Sequence, residues 1–141
     1  MALIQLTAIL FRVSRRPRLR VRIGSVKEAG EDGLRTAVVQ IITTNSGSLS
    51  ARNVLWNYDL PSGFRVLGSE AELHERQDRV TVVRALEHLH PNVETHHELT
   101  VETPLGLASF EVRYRIHLAD ARPQAGLLSV ALIPAGSQTS K

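Results

Sequence analysis

The chain of 141 residues contains no cysteine, so a disulfide framework, thiolate metal ligation and a cysteine nucleophile are all excluded. Aromatic residues are scarce at 4%, with one Trp and two Tyr, which leaves little material for a stacking platform of the kind that holds sugars or bases. The chain holds no apolar run of the roughly 20 residues that a bilayer crossing needs. There is no Gly-x-Ser-x-Gly elbow, and Gly24, Gly30 and Gly33 are spaced for turns, not for cradling a phosphate. What remains is an ordinary globular composition, 43% hydrophobic, with enough chain for one domain and a real core.

Charge is unevenly distributed. Arg12, Arg15, Arg16, Arg18, Arg20 and Arg22 lie between Phe11 and Gly24 without an intervening acid. Setting those six aside leaves 11 basic against 14 acidic residues, so the net charge of +3 comes from one N-terminal arm. Met1–Val13, which holds only the first of those arginines, is mostly apolar, without the basic leader and small-residue cleavage site of a signal peptide. Three readings stand for it: an added strand or helix, the end of an anchor that begins upstream, or an interfacial segment. Flanking arginines suit the membrane readings, because they bind anionic head groups. The expected organisation is an appendage over 1–17, a domain over 18–133 and a tail over 134–141.

From Arg18 the pattern alternates strictly, with Leu19, Val21 and Ile23 on one face and Arg18, Arg20 and Arg22 on the other. Glu28–Gly33 reads as a polar connector and Leu34–Thr44 as a central strand. Asn45-Ser46-Gly47 is turn chemistry. The strand after it carries Val54, Trp56, Tyr58 and Leu60 at period two, and Leu60-Pro61-Ser62-Gly63 closes it. Phe64–Leu67 reads as a short strand. Ser69–Asp78 is ambiguous: Ser69 with Glu72 has capping-box spacing for a helical turn, and the same residues suit a charged edge strand. Strands follow over Arg79–Leu89, His96–Thr103, Phe110–Leu118 and Leu127–Ile133. About seven to eight short strands with regular turn signals indicate an all-β antiparallel sandwich. Its expected core is Leu19, Val21, Ile23, Val39, Ile41, Val54, Trp56, Tyr58, Leu60, Val80, Val82, Leu99, Val101, Phe110, Val112, Tyr114, Ile116, Val130 and Leu132.

Asn45-Ser46-Gly47, Ala51-Arg52-Asn53-Val54, Leu60-Pro61-Ser62-Gly63-Phe64 and Leu89-His90-Pro91 ahead of His97-Glu98-Leu99-Thr100-Val101 resemble the immunoglobulin-like bacterial domains related to the cell-adhesion-related family. Where those domains usually have Pro-Gly after the late Leu, this chain has Pro91-Asn92. The resemblance spans about Leu19 to Ile133 and implies an immunoglobulin-like sandwich serving as a binding, spacer or adhesion module, without catalysis. It brings no functional residues.

Two sets of residues are candidates for function. The arginines Arg12, Arg15, Arg16, Arg18, Arg20 and Arg22 suit contact with an anionic membrane surface, which would place the protein at a membrane or in the cell envelope. Nucleic acid is a poorer fit, because no aromatics interleave them. The plainer account is an outer strand face kept unsticky by charge. His88, His90, His96 and His97 form the alternative, a metal-binding sandwich, since His88-x-His90 places two imidazoles on one strand face and Glu87, Glu94 and Glu98 offer oxygen ligands. Solvated histidines around a hairpin are the plain account there. The carboxylate pairs Glu70/Glu72 and Glu94/Glu98 read as solvated faces, not an acid–base pair. The expectation is a non-enzymatic interaction or spacer module without a cofactor and with an unknown protein partner, held at a membrane by its N-terminal segment.

Overall fold

Period-two alternation puts a strand's odd and even side chains on opposite faces, and two such sheets stacked on their apolar faces make a sandwich. The computed structural model describes residues 16–132 apart from 32, 33, 68–71, 77, 78 and 105. Among them are β1 (Leu19–Glu31), β2 (Leu34–Asn45), β3 (Ala51–Leu60), β4 (Arg65–Leu67), β5 (Glu72–Arg76), β6 (Arg79–Leu89), β7 (Glu94–Thr103), β8 (Ser109–His117) and β9 (Gln124–Ala131). Eight of these have five residues or more, and β4 has three. One sheet has the order β1-β2-β7-β4 and the other β5-β6-β3-β8-β9, with every pairing antiparallel. The all-β sandwich expected from the strand pattern is the fold.

The core lies between the sheets. Val39 and Ile41 of β2, Leu99 and Val101 of β7, and Val54, Trp56, Tyr58 and Leu60 of β3 are buried, as are Val112, Ile116 and Val130. Val21, Ile23 and Tyr114 pack against this cluster only partly buried, and Val80 is likewise intermediate. The core also takes in Ala37, Ala51, Phe64, Leu89 and Leu128. On β3 the alternation slips, with Ala51 and Val54 both inward and Arg52 and Asn53 both outward. Asn53 absorbs the slip in a left-handed conformation (φ 50), which Asn tolerates better than most residues.

Two expectations change. Glu28–Gly33 is not a connector throughout: β1 continues to Glu31, paired with Leu34. Cross-strand pairing with β2 supplies partners for the backbone groups that face it and overrides local polarity. Within Ser69–Asp78, the described residues Glu72–Arg76 form an edge strand on β6 and not a helical turn, so the edge-strand alternative holds. The remainder of that stretch, the appendage up to Arg15 and the tail 134–141 lie outside the described residues. No helix among the described residues is long and apolar enough to cross a membrane.

Gly126 pairs with Tyr114 across β8 and β9, and a Cβ there would stand 2.5 Å from the Tyr114 Oη. The tyrosine ring fills the space that Gly126 leaves. Gln124 closes the gap between the sheets at the start of β9. Its side-chain amide accepts from the Leu19 N–H at 3.3 Å and donates to the Leu19 carbonyl at 3.0 Å, serving one residue of the β1 edge as a neighbouring strand would.

Candidate functional site

The register places the start of β1, the end of β2, the start of β3, the end of β6 and the start of β7 at one end of the sandwich. Asn45, fully buried, organises that end. Its Oδ1 accepts from the Arg18 N–H at 3.2 Å and the Gly47 N–H at 3.0 Å. Its Nδ2 donates to the carbonyls of Leu49 (2.8 Å) and Leu89 (2.9 Å). Its backbone reaches a third loop, with Asn45 N–H donating to the Val93 carbonyl and Asn92 N–H to the Asn45 carbonyl. The Asn45-Ser46-Gly47 motif is therefore a knot tying four segments together. Glycine is required in it because a Cβ at position 47 would collide with the Arg16 carbonyl and the Arg18 amide.

The N-terminal arm enters the described structure at this same end. The Ser46 N–H donates to the Arg18 carbonyl at 2.7 Å, so the path of the chain is set before β1 begins. Arg16, Arg18, Arg20 and Arg22 are all exposed. Arg22 reaches Glu94 at 3.3 Å, an exposed pair of small energetic worth. Hydrogen bonds from His96 and from Arg22 hold the Glu94 carboxyl below the usual carboxylate range. Arg52, which pairs with Asp120 at 2.8 Å, and the exposed Arg122 lie at the same end. Its surface is thus strongly basic, with Glu94 and Asp120 each already engaged by an arginine. Arg12 and Arg15 lie outside the described residues.

The four histidines are dispersed. His88 and His90 sit exposed near the end of β6 with rings stacked at 6.0 Å, as the His-x-His spacing requires, and His90 Nδ1 is 2.8 Å from the Ser50 hydroxyl. His96 lies on the outer face of the other sheet, beside Gln40 and Glu94. His97 points the opposite way and is buried. Among the described residues no three His, Cys, Asp or Glu side chains could share a metal ion, so the expected shell of His88, His90, His96 and His97 is not assembled. The physical reasons are two: β6 and β7 belong to different sheets, and the pleat sends the adjacent His96 and His97 to opposite faces.

His97 belongs to a polar network inside the core. Trp56 Nε1–H donates to the Thr43 hydroxyl at 3.1 Å, Thr43 in turn bonds to the Tyr58 oxygen, and the Tyr58 Oη lies 2.7 Å from His97 Nδ1. Trp56 also meets the His97 ring edge-on at 4.5 Å. Burial, reinforced by the positive charge of Arg84 and then His96, lowers the His97 pKa to about 4, and desolvation pushes the Tyr58 phenol well above its ordinary range. The imidazole is therefore neutral at physiological pH. Parity could have revealed this: His97 is in phase with Leu99 and Val101, and Thr43 with Val39 and Ile41. A second internal pair, Glu28 and Arg35 at 2.8 Å, is nearly buried and was hidden by the polar look of its stretch.

No protein-family model matches the chain, and neither does any curated protein. Solved structures do resemble it. An uncharacterised protein from Nocardia farcinica, described as having an immunoglobulin-like fold, superposes with a TM-score of 0.56 at 14% identity, over 79% of this chain and 96% of that one. The putative ApaA protein from Bordetella pertussis gives a TM-score of 0.53 at 14% identity, over 84% of this chain and 96% of that one. At such identity the likeness concerns architecture alone, and the architecture is the immunoglobulin-like β-sandwich.

Proposed function

We propose that the chain is a non-enzymatic interaction or spacer module of the cell-adhesion-related kind, held at an anionic membrane surface by its N-terminal segment. The observation that supports this reading is the juxtaposition at one end of the sandwich. The apolar, Arg-rich arm joins the domain where Arg16, Arg18, Arg20 and Arg22 are exposed and where Arg122 adds a further positive charge beside the Arg52–Asp120 pair. A short apolar insertion and a polybasic patch attach stably together where neither suffices alone. Each arginine near a charged leaflet adds about 1 kcal/mol. The finer kinship to the adhesion-related family rests on the turn motifs quoted above, and the partner of the module is a protein of unassigned identity.

Co-sedimentation with liposomes tests the tether. Binding should need anionic lipid, weaken as salt screens the arginines, and be lost when residues 2–15 are deleted while the far-UV spectrum remains that of a β-protein. Indifference of the intact chain to anionic liposomes at low salt refutes it. So does a deletion that unfolds the domain, which would make the arm structural.

A further inference from the structure

We propose that Leu49 and Val93, at the tips of two turns beside Asn45, enter the acyl boundary of an anionic bilayer; the inference rests on the membrane reading above and assigns its contact face. Turn tips favour Gly, Asn, Asp, Ser and Pro, whose conformations or side-chain hydrogen bonds suit them. Leu49 is the one departure from that rule in Ser46-Gly47-Ser48-Leu49-Ser50, and Val93 the one apolar departure in His90-Pro91-Asn92-Val93. Leu49 is 44% exposed and Val93 45%. Among the described residues the other exposed large apolar side chains, Leu55, Leu86 and Leu127, lie on strands, where an exposed leucine is ordinary.

The two tips are held as a unit. The Leu49 carbonyl accepts from Asn45 Nδ2 and the Val93 carbonyl from the Asn45 backbone N–H, so one buried residue sets the position of both. Asn92 takes the left-handed conformation (φ 65) that presents Val93. The tips are thus preorganised, and little conformational entropy is lost on insertion.

Charge selects the occupant. The arginines at this end of the sandwich come from three separate elements: the start of β1, the β8–β9 loop through Arg122, and β3 through Arg52, whose charge Asp120 offsets. Basic side chains spread around two apolar points match a laterally fluid, anionic surface. A bilayer rearranges its head groups to meet each of them, and its acyl boundary accepts the points.

The absence of cysteine makes the test clean. Leu49→Cys, Val93→Cys and, as a reference on the sheet face, Leu127→Cys are each labelled with an environment-sensitive fluorophore in the full chain and mixed with phosphatidylcholine vesicles containing phosphatidylserine. Labels at 49 and 93 should shift to the blue and be quenched by nitroxide lipids, while the label at 127 stays water-like. An unlabelled Leu49→Ser/Val93→Ser variant should keep its far-UV spectrum and bind vesicles roughly tenfold more weakly or worse. Vesicle binding with water-like labels at 49 and 93 overturns the insertion and leaves the tether standing. A shift at 127 equal to the others overturns it in favour of a sheet-face contact. A blue shift that grows with protein concentration in the absence of vesicles assigns the tips to a second copy of the chain. Failure of the intact chain to sediment with vesicles overturns both proposals.

Discussion

The Tyr58 hydroxyl lies 2.7 Å from His97 Nδ1, wholly inside the sandwich, and joins β3 of one sheet to β7 of the other. With Thr43 and Trp56 it forms a chain of hydrogen bonds that crosses the core, in which Trp56 Nε1, the Thr43 and Tyr58 hydroxyls and His97 Nδ1 are each engaged. Such a network specifies how the two sheets sit on one another, because a shift of either one strands a buried donor or acceptor.

That network makes stability depend on pH. Above 6.5 His97 is neutral in both the folded and the unfolded chain. As pH falls, the unfolded chain takes up the proton first, since the folded pKa is about 4. Stability attributable to His97 should fall from about pH 6.5 to about pH 4 and then level off, a loss of about 3 kcal/mol in all. Urea unfolding across that range, compared with His97→Asn, isolates the effect from the carboxylates. A parallel pH profile in the variant refutes it.

Asn45→Ala should be among the most damaging single substitutions. It removes a fully buried amide and leaves the Arg18 and Gly47 N–H groups and the Leu49 and Leu89 carbonyls without it. The expected loss is about 3 kcal/mol or more, read as a lower urea midpoint. Asn45→Asp should not rescue it, because a carboxylate cannot donate to the two carbonyls. A loss below about 1 kcal/mol would show that water replaces the side chain.

Glu28 and Arg35 should be strongly coupled. Removing one partner leaves a nearly buried charge with less compensation, so Arg35→Met alone should cost about 3 kcal/mol. Arg35 also donates to the Leu107 carbonyl at 2.8 Å, a bond that is lost wherever Arg35 is replaced. Adding Glu28→Leu should recover part of the loss in a double-mutant cycle. Additive losses would argue against an energetically important pair.

Gly126→Ala should destabilise by about 1 to 2 kcal/mol, because the new methyl meets the Tyr114 ring. Placing it on a Tyr114→Ala background should make it neutral or favourable, since the strand then gains a side chain where the ring had lain. Equal effects in the two backgrounds would mean that the ring swings aside without cost.

Parity alone determined a large part of this protein. Trp56 and its row, the Phe110 row and the arginine face of β1 are legible from spacing, because a pleated strand sorts its residues by odd and even. Turn chemistry placed Asn45-Ser46-Gly47 and Leu60-Pro61-Ser62-Gly63 with equal directness. The tertiary structure decided what depends on register and on how the sheets meet. It extended β1 through a polar stretch and made an edge strand of residues that also suited a helical turn. It brought Gln124 to Leu19 across 105 residues of sequence, Asn45 to Leu89 across 44 and Tyr58 to His97 across 39. No local pattern encodes those separations. Hydrogen bonds between distant segments exist only once both sheets have closed on a common core, and the buried polar atoms then find the partners that this closure supplies.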